Sequence, residues 1–189
     1  FFSYASLSGY EIVSQNDSRY QSMHLVLNNY PHLKKPDSVK GSSYQLSALL
    51  AMMETAKKMQ PSGKLLDIYE LQFLDSCKEL GYSEETINQS KNYAMAVSKS
   101  ILAYAKADGY NKISNFPRYT PLNKEGCWYP TPPAYLAAIE PYFNKVRPSL
   151  IDSCLQFKPP PPVAFSKNTA SDFYRLMLLN YKETLPLEH

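Results

Sequence analysis

Residues 42–63 read SSYQLSALLAMMETAKKMQPSG, and this stretch decides the fold class. Leu46, Leu49, Leu50, Met53 and Ala56 recur at spacings of three and four, which puts them on one face of an α-helix over about residues 43–59. Ser42-Ser43-Tyr44-Gln45 offers a capping box, in which a serine oxygen accepts an orphan N–H and Gln45 reaches back. Lys57 and Lys58 suit the negative end of the helix dipole, and Pro61-Ser62-Gly63 ends the element.

The same pattern continues downstream. A second helix is predicted over about 68–80, with Asp67 as N-cap, Ile68, Leu71, Leu74 and Cys77 as its apolar stripe, and Gly81 just past its end. A third runs over about 84–107: Ser83 caps it, Glu84 and Glu85 occupy its first turn, and Asp108-Gly109 stops it. Its face is Ile87, Ala94, Val97, Ile101, Tyr104 and Ala105. Short loops between these helices make antiparallel neighbours. Upstream, Phe2, Ala5, Ile12 and Val13 share a helical face that Gly9 weakens, and residues 19–30 fit a strand and a helix equally.

Residues 110–133 lack periodicity and hold the only Trp, so they form a long loop that is either functional or pinned by packing. Thr131 as N-cap and Pro132 at the first helical position predict a helix resuming near 132, kinked at Pro141. Ser149–Cys154 suggests a helical turn, and Lys158-Pro159-Pro160-Pro161-Pro162 must be extended. A last helix over about 170–184, capped by Thr169 or Ser171, is apolar on more than one face and so calls for burial on two sides. No strand signal is strong. The expected fold is all-α: a bundle of about five to seven helices with one long ordered Pro/aromatic loop. Residues 1–186 read as one all-α domain and Leu187-Glu188-His189 as the remnant of a vector-encoded tag. With Phe1 first, the chain reads as a piece of a longer protein.

Composition excludes several classes. A net charge of +3, dispersed along 189 residues, is too small to point to nucleic acid. No apolar run approaches the roughly 18–20 residues of a membrane span. Cys77, Cys127 and Cys154 match no zinc pattern; Cys77 and Cys154 read as buried thiols, while Cys127 lies in the loop. His24 and His32 have no partner motif for metal or catalysis, and Pro61-Ser62-Gly63-Lys64 is a turn rather than a phosphate cradle. The most unusual segment is Gly126-Cys127-Trp128-Tyr129-Pro130-Thr131-Pro132-Pro133. Trp128, Tyr129, Thr131, Pro132 and Pro133 are the candidate interface or binding residues: either a stacking platform for a glycan or peptide, or a loop plugged into the core by Trp128.

From that segment onward come Glu140-Pro141-Tyr142-Phe143, Val146-Arg147-Pro148, Ser153, Gln156-Phe157, Pro161-Pro162 and Phe165-Ser166. This order resembles the N-terminal helical half of bacterial vanadium-dependent haloperoxidase-like proteins, in the type 2 phosphatidic acid phosphatase superfamily. The resemblance implies a parent enzyme that hydrolyses phosphomonoesters or oxidises halide, with phosphate or vanadate at its own catalytic site. It also implies a C-terminal catalytic domain as partner, and an exported or periplasmic location. Family chemistry requires a Lys with an Arg-Pro pair, a Pro-Ser-Gly-His segment, and a later Arg with a His. Here Glu140 stands at the position of the Lys, Lys64 follows Pro61-Ser62-Gly63, and no downstream His pair exists. No catalytic, cofactor-binding or metal residue is therefore carried over. The expectation is a non-catalytic domain; the rival is a self-contained Tyr/Pro-rich module binding a glycan or peptide.

Overall fold

The computed structural model describes residues 1–185 and contains six α-helices. They are α1 (Phe2–Ser14), α2 (Tyr44–Met59), α3 (Leu65–Glu79), α4 (Glu84–Lys106), α5 (Tyr110–Ile113) and α6 (Asp172–Thr184). Among the described residues there is no strand, and the fold is all-α as expected. The expected tag remnant Leu187–His189 lies outside the described residues.

α1, α2 and α4 pack on one another, and α3 lies against α2. α4 is the central rod: Ile87, Ala94, Val97, Ile101, Tyr104 and Ala105 are all buried, together with Tyr93. Ser83 Oγ accepts the Thr86 N–H at 3.1 Å, the expected cap. Gly9 has a packing role in α1. A Cβ there would sit 2.7 Å from Met52 Cγ and 3.2 Å from the Ala48 carbonyl oxygen, so glycine lets α1 approach α2 closely. Small buried polar residues fill the same seams: Thr55 Oγ1 donates to Ser98 Oγ at 3.0 Å between α2 and α4.

Two helix starts differ from expectation. In α2 the cap is Ser43, whose Oγ accepts from the Leu46 N–H at 3.4 Å. Gln45 reaches back only as far as the Ser43 hydroxyl, which donates to its Oε1 at 3.2 Å; the Ser43 N–H donates instead to Ser90 Oγ of α4 at 3.0 Å, a tertiary partner taking the local one's place. α3 begins at Leu65, so Asp67 lies in its first turn rather than capping it. The Asp67 carboxylate has a stronger partner in Lys57 Nζ, at 2.5 Å. Of the predicted α3 stripe only Leu74 and Cys77 are buried, whereas Ile68 and Leu71 are 57% and 63% exposed. The helix packs mainly on α2, at the edge of the bundle, and needs only a narrow apolar face. Its end is as expected. Gly81 adopts φ +92°, with Tyr82 N–H donating to Cys77 O and Gly81 N–H to Lys78 O.

The ambiguous segment 19–30 forms only a 3-10 turn at Met23–Leu25. The larger departure follows α5. Between Ile113 and Asp172 the chain has no α-helix, only a 3-10 turn at Phe143–Lys145. The helix expected near 132 does not form, nor does the turn at 149–154. Prolines at 130, 132, 133 and 141 withhold N–H groups and push their predecessors out of the helical region. Tyr135 and Glu140 adopt left-handed φ of 46° and 48°. α6 forms as predicted, with Ser171 Oγ accepting the Tyr174 N–H at 3.2 Å, yet none of its residues is buried. Residues 114–185 are therefore an arm extending from a bundle. The total accessible surface is 14226 Å². A compact monomer of 21.5 kDa would expose about 9,200 Å².

Candidate functional site

The arm is pinned to the bundle over residues 147–151. Asn28 Nδ2 donates to Pro148 O at 3.1 Å and to Ile151 O at 2.7 Å, and the Asn28 N–H donates to Ser149 O at 2.9 Å. The Arg147 N–H donates to Asp108 O at 2.8 Å, and its Nη2 to Tyr104 O at 3.0 Å. The guanidinium lies over the Tyr104 ring, 3.7 Å from its centroid. Asp108 Oδ2 accepts the Tyr4 hydroxyl at 2.8 Å, and Oδ1 the Tyr110 N–H at 2.7 Å. Burial first, then the Asp108 carboxylate, pushes the Tyr4 phenol up to about 12. This latch joins α1, α4 and the arm, and borders an open cleft of about 770 Å³. Local sequence does not reveal it: Asp108-Gly109 reads as a helix stop, and Tyr4 and Asp108 are 104 residues apart.

The Pro/aromatic segment lies farther out. Trp128 is 49% and Tyr129 60% exposed, so Trp128 is not a plug in the bundle core. Its ring lies 6.1 Å from that of Tyr119. Trp128, Thr131, Pro132 and Pro133 line a shallow groove of about 600 Å³ with Leu136 and Ile139; Tyr129 lies outside that lining. The Thr131 carbonyl accepts the Tyr135 N–H at 3.0 Å. Gly126 adopts φ +77°, and a Cβ there would meet Phe165 Cγ at 2.7 Å. Phe165 in turn packs edge-on against Phe173 of α6, at 5.1 Å between centroids, so the loop and α6 form one aromatic unit.

Other candidates resolve simply. Cys77 is buried and its thiol is pushed up by desolvation, while Cys154, expected to be buried, is exposed, as is Cys127; all three are free. His24 and His32 come together with rings stacked 5.0 Å apart, and His24 Nδ1 lies 2.9 Å from the Tyr30 carbonyl oxygen. Glu11, passed over in the sequence, is fully buried in α1. Its Oε1 accepts from Ser22 Oγ at 2.7 Å, and Oε2 has no protein partner among the described residues. Among the described residues, no three His, Cys, Asp or Glu side chains converge as a metal site, and no helix is long and apolar enough to cross a membrane. Neither histidine lines the cationic cleft beside Arg147. A vanadate site of the family's kind needs an imidazole within its cations, so these residues do not fit that group.

No protein-family model and no curated protein matches the chain. A solved structure does. The class it defines is a haloperoxidase-like helical domain. The match is to the crystal structure of the first bacterial vanadium-dependent iodoperoxidase, at TM-score 0.88 and 32% sequence identity over 98% of this chain. This chain spans 44% of that protein's chain.

Proposed function

We propose that this chain is a non-catalytic helical domain of a vanadium haloperoxidase- or acid phosphatase-like enzyme of the type 2 phosphatidic acid phosphatase superfamily. Residues 1–186 are one domain, and its partner is a catalytic domain that holds phosphate or vanadate. The arm is the docking element. The observation that carries this is its geometry: roughly 5,000 Å² of surface beyond that of a compact monomer, concentrated on residues 114–185. That excess exceeds a standard interface of about 1,600 Å². Leu176, Met177, Leu178 and Leu179 span all sides of α6 and are all exposed. The similar structure supports the reading, because its fold agrees over 98% of this chain while more than half of its own length lies elsewhere. Trp128, Tyr129, Thr131, Pro132 and Pro133 belong to the same contact.

Trp128 is the only Trp, so acrylamide quenching reports this surface directly. Trp128 is expected to be freely quenched in this chain and shielded when the chain is joined to its catalytic domain. Equal quenching in both would remove the loop from the interface. The 189-residue chain is expected to hydrolyse no phosphomonoester and oxidise no halide, whereas the joined protein does one or the other; activity in this chain alone would overturn the non-catalytic assignment. The exposed groove at Trp128 also favours one second reading, a glycan- or peptide-binding module, which predicts quenching changes on adding oligosaccharide or proline-rich peptide to this chain alone.

A further inference from the structure

We infer that the cleft between α4, α5 and the latch binds an organic anion: a planar carboxylate carried on a small apolar body. It has an unbalanced charge. Arg147, Lys145 and Lys112 line it against a single carboxylate, Asp108. Asp108 is already occupied by the Tyr4 hydroxyl and the Tyr110 N–H. None of the three cations forms an ion pair among the described residues. The Arg147 side chain places one N–H on Tyr104 O, and no carboxylate pairs with its guanidinium among the described residues. Stacking on the Tyr104 ring fixes the guanidinium plane, which presents a fork matched to a carboxylate. The floor is apolar, built from Leu33, Ala103, Ala107, Ile113 and Phe116. An inorganic ion would leave that floor wet, and a neutral hydrocarbon would leave the cations unanswered. At about 770 Å³ the cleft has the size of a small-molecule site. It lies beside the bundle and does not depend on the arm docking to a catalytic domain.

The test uses the full 189-residue chain, labelled with ¹⁵N, titrated with benzoate, benzyl alcohol and inorganic phosphate. Backbone shifts of Gly109 and Ile113 are followed. Benzoate is expected to move both with a Kd on the order of 1 mM. Benzyl alcohol and phosphate are expected to bind at least about tenfold more weakly, because each answers only half of the cleft. Arg147→Ala risks opening the latch, so two other variants carry the test. Ala103→Phe, at an exposed position of α4, fills the floor and abolishes the shifts. Lys112→Ala with Lys145→Ala weakens benzoate about fivefold, leaves the thermal midpoint in place and flattens the salt dependence. Benzoate shifts that persist in Ala103→Phe would overturn the site, as would their absence in the unaltered chain. Benzyl alcohol or phosphate binding as tightly as benzoate would overturn the ligand class.

Discussion

Replacing Asn28 by Ala tests whether the arm and the bundle are separate cooperative units. The Asn28 side chain makes two hydrogen bonds to the arm, to Pro148 O and Ile151 O. Its backbone bonds to Ser149 and Tyr104 survive the substitution. Each lost bond is worth about 0.5–1.5 kcal/mol, and water reaches the two half-buried carbonyls once they are freed. The latch should therefore weaken by about 1–2 kcal/mol, a roughly 5- to 30-fold rise in its open population. The assay is native-state hydrogen exchange. The Arg147 N–H, held by Asp108 O, reports the latch, and the Ile101 N–H inside α4 reports the bundle. In Asn28→Ala the Arg147 amide should exchange faster by that factor while the Ile101 amide is unchanged. Equal acceleration of both would show that arm and bundle open together. An unchanged Arg147 amide would show that the two bonds do not hold the latch.

Lys57 joins α2 to α3, with Nζ 2.8 Å from Glu70 and 2.5 Å from Asp67. Lys57→Met should cost about 2 kcal/mol in urea unfolding, and adding Glu70→Met should recover part of it by removing the stranded carboxylate. Burial works against the Lys57 ammonium, but Asp67 and Glu70 outweigh it and raise its pKa, so this pair stays intact well into alkaline solution. Tyr4 has a folded pKa of about 12 against 10.0 unperturbed, raised by burial and by Asp108. Its contribution is complete below pH 10 and is lost as pH rises to about 12, where only the unfolded chain has already released the proton. Tyr4→Phe should flatten that part of the alkaline stability curve, read from urea midpoints. Gly126→Ala puts a Cβ on Phe165 in a left-handed turn, and should loosen the aromatic loop by about 1–2 kcal/mol. Faster tryptic cleavage at Lys124 with an unchanged bundle would confirm it.

The helices of the bundle were legible because each carries its own local signals. Ser83 with its acidic first turn, Gly81 at its C′ position and the α4 stripe all act within one element. Tertiary competition defeated the rest. Ser90 took the N–H that Gln45 was expected to satisfy, and Lys57 drew Asp67 away from a capping role. Thr131-Pro132 is a good helix start by local rules, but too few residues follow before Pro141 and no apolar face receives them. Gly9 read as a fault because its value lies in Met52 and Ala48 of another helix. The Pro/aromatic loop stands out in the sequence, but local signals could not tell that Trp128 lines a surface groove and does not enter the core. The latch was invisible, because it is assembled from side chains about 100 residues apart.

The attachment at residues 147–151 also sets an order of events during synthesis. α1, α2 and α4 lie within the first 106 residues, and helical bundles with local contacts fold in microseconds to milliseconds. The roughly 40 residues between α4 and the latch need about 2–8 s at ribosomal speeds of about 5–20 residues per second. The bundle is thus complete long before the latch strand emerges. For those seconds Tyr104 and Asn28 wait as a finished receptor for their own chain. Leu176 to Leu179 emerge later still, as an apolar helix that no surface among the described residues buries. Whatever follows in a longer protein meets a preformed template rather than a folding partner.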